Sequence, residues 1–252
     1  MNKLELLADL HRDTERQGPG GQAETRLALQ LAGLCERRDL DIADLGCGTG
    51  ASTLVLAEAL DARIVAVDFL EPFLDTLKAR ALEAGVAERI TPRHASMEAL
   101  NFAAESLDAI WSEGAIYNLG FARGVREWRR FLKPGGILAV SELTWLTEQR
   151  PAELDAYWRD QYPEVDTASA KLAVLEHHGY APLGYFVLPP HCWRENYYRP
   201  LQERFPAFLK AHRNSPAARA IVEEQQQEIE LYERYGEYFG YGFFIARKCG
   251  ER

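Results

Sequence analysis

The 252-residue sequence has no apolar stretch long enough to cross a bilayer. Its first residues, MNKLELLADLHRDTERQ, are charged throughout and carry no apolar signal core. Both absences lead us to expect a cytoplasmic protein. Cysteine is sparse: Cys35, Cys47, Cys192 and Cys249 are scattered, and no CxxC pair occurs. That excludes a zinc ribbon and a redox dithiol. No other run has metal-ligand spacing, so no metal is expected. Positive charge is also in deficit, with 29 Lys and Arg against 38 Asp and Glu and a formal charge of −9. A nucleic-acid groove needs a basic footprint, and so does an anionic membrane surface. Neither is expected as a partner. One basic run, RGVREWRRFLK (Arg123 to Lys133), has Val125, Trp128, Phe131 and Leu132 at helical spacing and reads as a solvated helix face.

What is present suits a sizeable core, with 47% hydrophobic and 27% charged residues. From Leu40 onward strand and helix patterns alternate. The strands are LDIADL (40–45), RIVAVDF (63–69), RITPRH (89–94), LDAIWS (107–112) and ILAVSEL (137–143). Pro92 puts the third at a sheet edge. Helices are expected over 52–60, 71–85 and about 121–132, the last stopped by KPGG (133–136). Such alternation implies right-handed crossovers and a parallel sheet. Further helices are expected over 151–162 and 167–180, then a strand over 184–189. A long helix starts at Ser215-Pro216 and runs to about Tyr235, before a closing strand over 241–248. The expected fold is therefore α/β: a seven-stranded, mostly parallel sheet with N-terminal helices and a helical insertion before the last strand. We expect one domain over 1–252. Residues 1–39 form a helical cap broken by QGPGG (17–21), 40–145 the binding core, and 146–252 the substrate-side helices and closing strands. The QGPGG break is either a helix connector or a flap. The long helix carries an apolar stripe (Ile221, Ile229, Tyr232, Tyr235), which either lids a pocket or makes a homodimer face.

The loop after the first strand, GCGTGA, decides the chemistry. In open parallel sheets ligands bind beyond the carboxyl ends of the strands. Gly46, Gly48 and Ala51 satisfy the dinucleotide fingerprint, and Asp68, about twenty residues on, fits a ribose partner. No Lys-Ser or Lys-Thr follows the glycines, so this is no P-loop. Asp44 stands two residues before Gly46, where it would repel a pyrophosphate but suit a cationic cofactor. No Tyr-x-x-x-Lys pair occurs, so one common hydride-transfer arrangement is missing.

These features favour S-adenosylmethionine (SAM) over NAD(P). The pattern Asp44-x-Gly46-x-Gly48-x-Gly50, with Asp68, LDAIWS and the LKPGG turn, resembles class I SAM-dependent methyltransferases over most of the chain. The resemblance implies a Rossmann-like sheet and the product S-adenosylhomocysteine (SAH). WSEGAIYNLGF (111–121), EQRPAEL (148–154) and LPPHCW (188–193) look like a bacterial group related to quinone-biosynthesis C-methyltransferases. In that light Gly46 and Gly48 would let the backbone approach the methionine part, Cys47 would pack or offer backbone atoms, Gly50 belongs to the same pattern, and Asp44 would orient the ammonium directly or through water. Asp68 would accept from the ribose hydroxyls and Phe69 would lie against the adenine. Ser96 or Met97 would meet the adenine amine, with Glu98 as the alternative. Gly18, in a segment that covers SAM in relatives, and Ser112 would complete the cofactor set.

Methyl transfer is an in-line displacement, so alignment carries much of the catalysis, and a base is needed only for acceptors that must lose a proton. The fourth strand should end beside the methyl group. Glu113 is therefore the leading base or anchor, followed by Tyr117. His191 is a further base candidate, since histidine titrates near neutrality. Asn118, Trp145, Trp193 and Tyr197 are expected to line the acceptor site, which suits a cationic amine or a planar aromatic. The expected partner is a small molecule. The alternatives are an NAD(P)-dependent oxidoreductase and a SAM-binding protein without catalysis.

Overall fold

The first strand of the computed structural model, β1 (Leu40–Leu45), sits at the centre of one twisted sheet. Residues 2–250 are described. Ahead of β1 lie α1 (Lys3–His11) and α2 (Gln22–Ala32). After it come α3 (Ala51–Ala59), β2 (Ala62–Asp68), α4 (Glu71–Glu83), β3 (Ile90–His94), β4 (Leu107–Glu113), α5 (Phe121–Trp128) and β5 (Leu132–Trp145). The remaining chain forms α6 (Ala152–Gln161), β6 (Asp166–Thr167), α7 (Ala168–His177), β7 (Tyr180–Val187), α8 (Pro190–Trp193), α9 (Arg199–Ala211), α10 (Pro216–Tyr235) and β8 (Phe239–Lys248). The strand order is β3-β2-β1-β4-β5-β8-β7, and the two-residue β6 pairs with the end of β5. β1 to β5 are parallel, and β8 runs antiparallel to both β5 and β7. The expected mostly parallel seven-stranded sheet is present, with β6 as a small addition. Pro92 does lie in the edge strand, where a residue without an N–H is tolerated.

Local chemistry sets the helix ends. The Ser215 hydroxyl accepts from the Ala218 N–H (3.3 Å) and Pro216 opens α10. Pro72 lies in the first turn of α4, and Gly85, at φ +71°, follows its end. The KPGG segment departs from expectation. It lies within β5, where Gly135 (φ +76°) turns the chain and the pairing to β4 shifts register between Leu107 and Ala109. The helix before it ends at Trp128 and tightens into a short 3₁₀ turn over Arg129–Phe131.

The two sheet faces bury separate apolar layers, one around Ile42, Ile64, Trp111 and Phe243, the other around Leu45, Ile110, Val140 and Phe244. A third apolar body joins α1, α6, α8, α9 and α10 through Leu10, Trp158, Trp193, Phe205 and Tyr232. It lies past the carboxyl ends of the strands and roofs the loops gathered there. The stripe on α10 is spent inside the chain, where Ile221, Ile229 and Tyr232 are buried. No helix among the described residues is long and apolar enough to cross a membrane.

Candidate active site

The glycine loop turns through three left-handed residues, Gly46, Gly48 and Gly50, at φ +73°, +55° and +91°. The Gly46 and Cys47 N–H groups both donate to the Val67 carbonyl (2.8 and 3.1 Å), pinning the loop to β2. Side chains are excluded there for separate reasons. A Cβ on Gly46 would stand 2.3 Å from Ala115 Cβ, and one on Gly48 2.1 Å from Gln17 Oε1. On Gly50 it would strike Leu77 Cδ1 at 2.2 Å, so that glycine serves helix packing.

Asp44 lies beneath this loop, fully buried. Its Oδ2 accepts from the Ser52 and Thr53 hydroxyls (2.9 and 2.7 Å), while Oδ1 has no hydrogen-bond partner among the described residues. Burial pushes its carboxyl up to about 7, against the pull of those two hydroxyls and helped by the charges of Glu113 and Asp68. An unpaired buried acceptor of this kind asks for a cation and repels a phosphate. Asp68 ends β2, where its Oδ2 accepts from the Gly48 N–H and its Oδ1 from the Leu70 N–H, both at 2.8 Å. Each oxygen keeps a further lone pair for a ligand hydroxyl. Burial raises this carboxyl as well.

Both the loop and Asp68 face a cavity of about 720 Å³ at the carboxyl ends of the strands. Of the expected cofactor residues, Gly18, Gly46, Cys47, Gly48, Asp68, Phe69, Ser96 and Met97 line it, as does Glu98. Phe69 is 58% exposed, a large ring left uncovered where a flat ligand would lie. Ser96 caps a short 3₁₀ turn by accepting from the Glu98 N–H (3.2 Å), and Glu98 is drawn to Arg123 (2.8 Å). Asp44, Gly50 and Ser112 act from behind the wall. The Ser112 hydroxyl donates to the Leu45 carbonyl (2.8 Å), tying β4 to the start of the loop. Cys47 is buried, and burial holds its thiol well above the ordinary range.

The segment between α1 and α2 covers the loop as a flap. Gln17 grips Thr49 at two points, accepting from its N–H (2.9 Å) and donating to its hydroxyl (3.0 Å). Arg80 donates to the Thr49 hydroxyl (2.7 Å) and to the carbonyls of Thr14 and Glu15 (3.2 and 3.1 Å). Asn196 donates to the Gly20 carbonyl (2.8 Å). Gln17, Gly18 and Gly20 fall within the QGPGG break already marked as a possible flap. Arg16 and Arg80 lie in ordinary polar sequence with no motif to mark them.

Glu113 is on the wall, but both its oxygens are engaged. Oε2 accepts from Arg16 (2.8 Å), and Oε1 from the Thr25 hydroxyl (2.7 Å) and the Trp111 indole (2.9 Å). Three donors hold it as the flap's anchor. Tyr117 and Asn118 line the cavity, Tyr117 edge-on to Tyr162 with ring centroids 5.9 Å apart. Tyr197 lines both this cavity and a smaller chamber of about 200 Å³ that adjoins it, and Trp193 lines the chamber. Trp145 is on neither wall; its ring is buried, 4.1 Å from the Arg150 guanidinium. His191 is likewise absent from both walls. Its Nε2 lies 3.4 Å from Glu24 Oε1 and 3.7 Å from Cys192 Sγ, beneath the end of the flap. Glu24, His191 and Cys192 bring their donor atoms within 4.8 Å of one another, a grouping that residues 167 positions apart do not announce in sequence. Burial drives the Cys192 thiol strongly up, so it stays a protonated partner in this group.

Among the wall residues that sequence reasoning missed are His11 and Glu228. His11 is buried and stacks on Tyr197, and burial beside Arg204 lowers it to about 4, so its imidazole is neutral. Its Nδ1 has no hydrogen-bond partner among the described residues. Glu228, on α10, lines both spaces. It had a legible signal: a carboxylate placed beside Ile221, Ile229 and Tyr232 on the apolar stripe of a helix.

The open parallel sheet, the glycine turn, the buried Asp44 and the wall carboxylate Asp68 meet at the carboxyl end of the central strands. Residues 42–136 match the family model of a methyltransferase domain. The chain is 30% identical over 137 residues to the 27-O-demethylrifamycin SV methyltransferase of Amycolatopsis mediterranei, covering 54% of this chain and 50% of that one. It is 33% identical over 135 residues to the methyltransferase YodH of Bacillus subtilis, covering 54% and 56%. The chain spans about half the length of the curated relatives it matches. A SAM-dependent methyltransferase from Geobacter sulfurreducens, solved with SAH, shares the fold at a TM-score of 0.82 and 21% identity, over 96% of this chain and 97% of that one. The domain match likens residues 42–136 to a methyltransferase domain, and the solved neighbour shares the fold.

Proposed function

We propose that the protein transfers a methyl group from SAM to a small-molecule acceptor and releases SAH. The observation that carries this reading is the unpartnered Oδ1 of the buried Asp44, set under a glycine turn whose far side faces Asp68. A diphosphate seated there would meet a carboxylate; an amino-acid ammonium would satisfy one. That argues against the NAD(P) alternative. When bound, SAM supplies an electrophilic methyl group on a sulfonium. The chain's own residues then do four things. Asp44 balances the ammonium, and Asp68 accepts from the ribose hydroxyls. Phe69 covers one face of the adenine. The flap, held by Gln17, Arg80 and the Arg16–Glu113 pair, keeps water from the transfer path, so that alignment lowers the barrier. In this reading Glu113 anchors the flap and takes no proton. We carry the likeness to quinone-biosynthesis enzymes no further, because nothing on the chamber wall is specific to a quinol.

Calorimetric titration with SAH and with NADH tests the cofactor, and a metabolite extract incubated with SAM tests the transfer. We expect SAH to bind, NADH not to bind, and one extract component to gain one methyl group. Binding of NADH without SAH would end this reading. Tight SAH binding with no methylated product from any extract would favour the non-catalytic alternative.

A further inference from the structure

The smaller chamber has an unusual wall. Tyr117, Tyr157, Trp158, Tyr162, Tyr197 and Tyr241 bring aromatic rings to it from four separate parts of the chain. Among the described residues no lysine, arginine or histidine lines it, and Glu228 is its one charged group. The Tyr198 hydroxyl donates to Glu228 Oε1 (3.0 Å), and no ion pair reaches Glu228 among the described residues. The one arginine on the adjoining wall among the described residues is already taken: Arg16 pairs with Glu113 (2.8 Å). His11, on the adjoining wall, is neutral. A carboxylate among ring faces, without a protein cation, retains its demand for positive charge. Aromatic faces add to the attraction for an ammonium. A carboxylate or phosphate acceptor would meet Glu228 and no counter-charge. A neutral ring would fill the space and leave Glu228 uncompensated.

We propose that the chamber receives the amino group of a small primary or secondary amine, and that Glu228 is its anchor and proton acceptor. This rests on the methyltransferase reading above. The steps balance. The bound ammonium gives one proton to the Glu228 carboxylate, which burial among the rings makes more basic than an ordinary glutamate. The freed nitrogen lone pair forms the new N–C bond as the methyl–sulfur bond breaks, and that bond's electron pair stays on sulfur. The products are an N-methylammonium and SAH, and Glu228 later passes its proton to solvent. Tyr198 is a positioning residue that fixes the carboxylate.

The test uses the full-length protein saturated with SAH. Calorimetry measures its binding of benzylamine, 2-phenylethylamine and tyramine, of the matched alcohol 2-phenylethanol, and of the matched acid 3-phenylpropionate. We expect at least one amine to bind about tenfold or more tightly than the alcohol, and the acid not to bind. E228Q should abolish the preference for amine over alcohol while leaving SAH affinity in place. Y198F should keep SAH binding and reduce that preference. Equal binding of amine and alcohol, no binding of any amine, or a preference that survives in E228Q would each overturn the proposal. Failure of SAH itself to bind would instead remove the methyltransferase reading, and the two failures are thus distinguishable.

Discussion

Arg16 Nη1 and Glu113 Oε2 meet at 2.8 Å with both side chains 6% exposed, so a buried ion pair ties the flap to the end of β4. A charge left alone in such a place is costly, about 3–5 kcal/mol when one partner of a buried pair is removed. Glu113→Ala should therefore destabilise the protein by an amount of that order and free the segment around residues 14–20. Glu113→Gln should not rescue it. Three donors converge on the carboxylate, and an amide would turn its own N–H groups toward at least one of them. Urea unfolding of Glu113→Leu, Arg16→Met and the double variant should give a double variant far less unstable than the two single losses summed. Additive losses would show that the pair is not coupled.

Gly48→Ala should unlatch the flap from the other side. The residue sits at φ +55°, which costs a side chain about 1–2 kcal/mol. The added methyl would also displace Gln17 Oε1, 2.1 Å from its position, and with it the bonds to Thr49. Gln17→Ala removes the same bonds without backbone strain. Limited proteolysis should cut both variants sooner within residues 12–21 than the parent, with Gly48→Ala also melting earlier. Equal protease resistance in all three would mean that the Gln17–Thr49 bonds do not hold the flap.

The residues that could be read from sequence share one property: a backbone requirement or a strand end fixes them. Gly46 and Gly48 sit at left-handed positions against close neighbours, and Asp68 ends a strand whose neighbours converge on the same edge. The parallel core followed from alternation alone. Where the helical layer folds back, sequence said less. His191 follows a strand and was expected at the cavity, but the one turn of α8 directs it to Glu24 and Cys192 instead. Trp145 ends β5 yet packs beneath Arg150. Arg16, Arg80 and His11 act through contacts between segments far apart in the chain, and no local pattern encodes such contacts. Glu228 differs from these, since a carboxylate set in an apolar helical stripe is a local pattern that the residue order itself displays.

Asp68→Ala should weaken SAH binding by about 1–3 kcal/mol, the cost of leaving buried hydrogen-bonding groups without an acceptor. Part of the loss will come from the protein, because Asp68 also accepts from the Gly48 and Leu70 N–H groups. Asp68→Asn separates the two contributions. Its amide oxygen can still accept from one N–H, so it should recover some melting temperature but little affinity. Calorimetry on all three proteins reads both. Full affinity in Asp68→Ala would remove Asp68 from the ribose.

The raised carboxyl of Asp44 makes cofactor binding depend on pH, and the direction is fixed. In the ligand-free protein this group titrates near 7, well above an ordinary aspartate, because burial penalises its charge. Between about pH 4 and pH 7 the native state holds a proton that the unfolded chain has released, so this group's contribution to stability falls as pH rises through that window. A bound ammonium reverses the preference, since it needs the carboxylate ionised. SAH affinity should therefore rise with pH up to about 7 and level off above it, falling by up to about tenfold for each unit below. Binding at about pH 6 should release a proton, visible as heats that differ between buffers of different ionisation enthalpy. Glu142 is also raised to about 7 by burial, but it faces the Lys171 ammonium at 3.6 Å, and Asp44→Asn distinguishes the two. That variant should bind SAH more weakly above neutrality, with a flat pH profile and no proton release. A parent protein whose affinity is the same at about pH 6 and about pH 8 would show that Asp44 does not meet the ammonium.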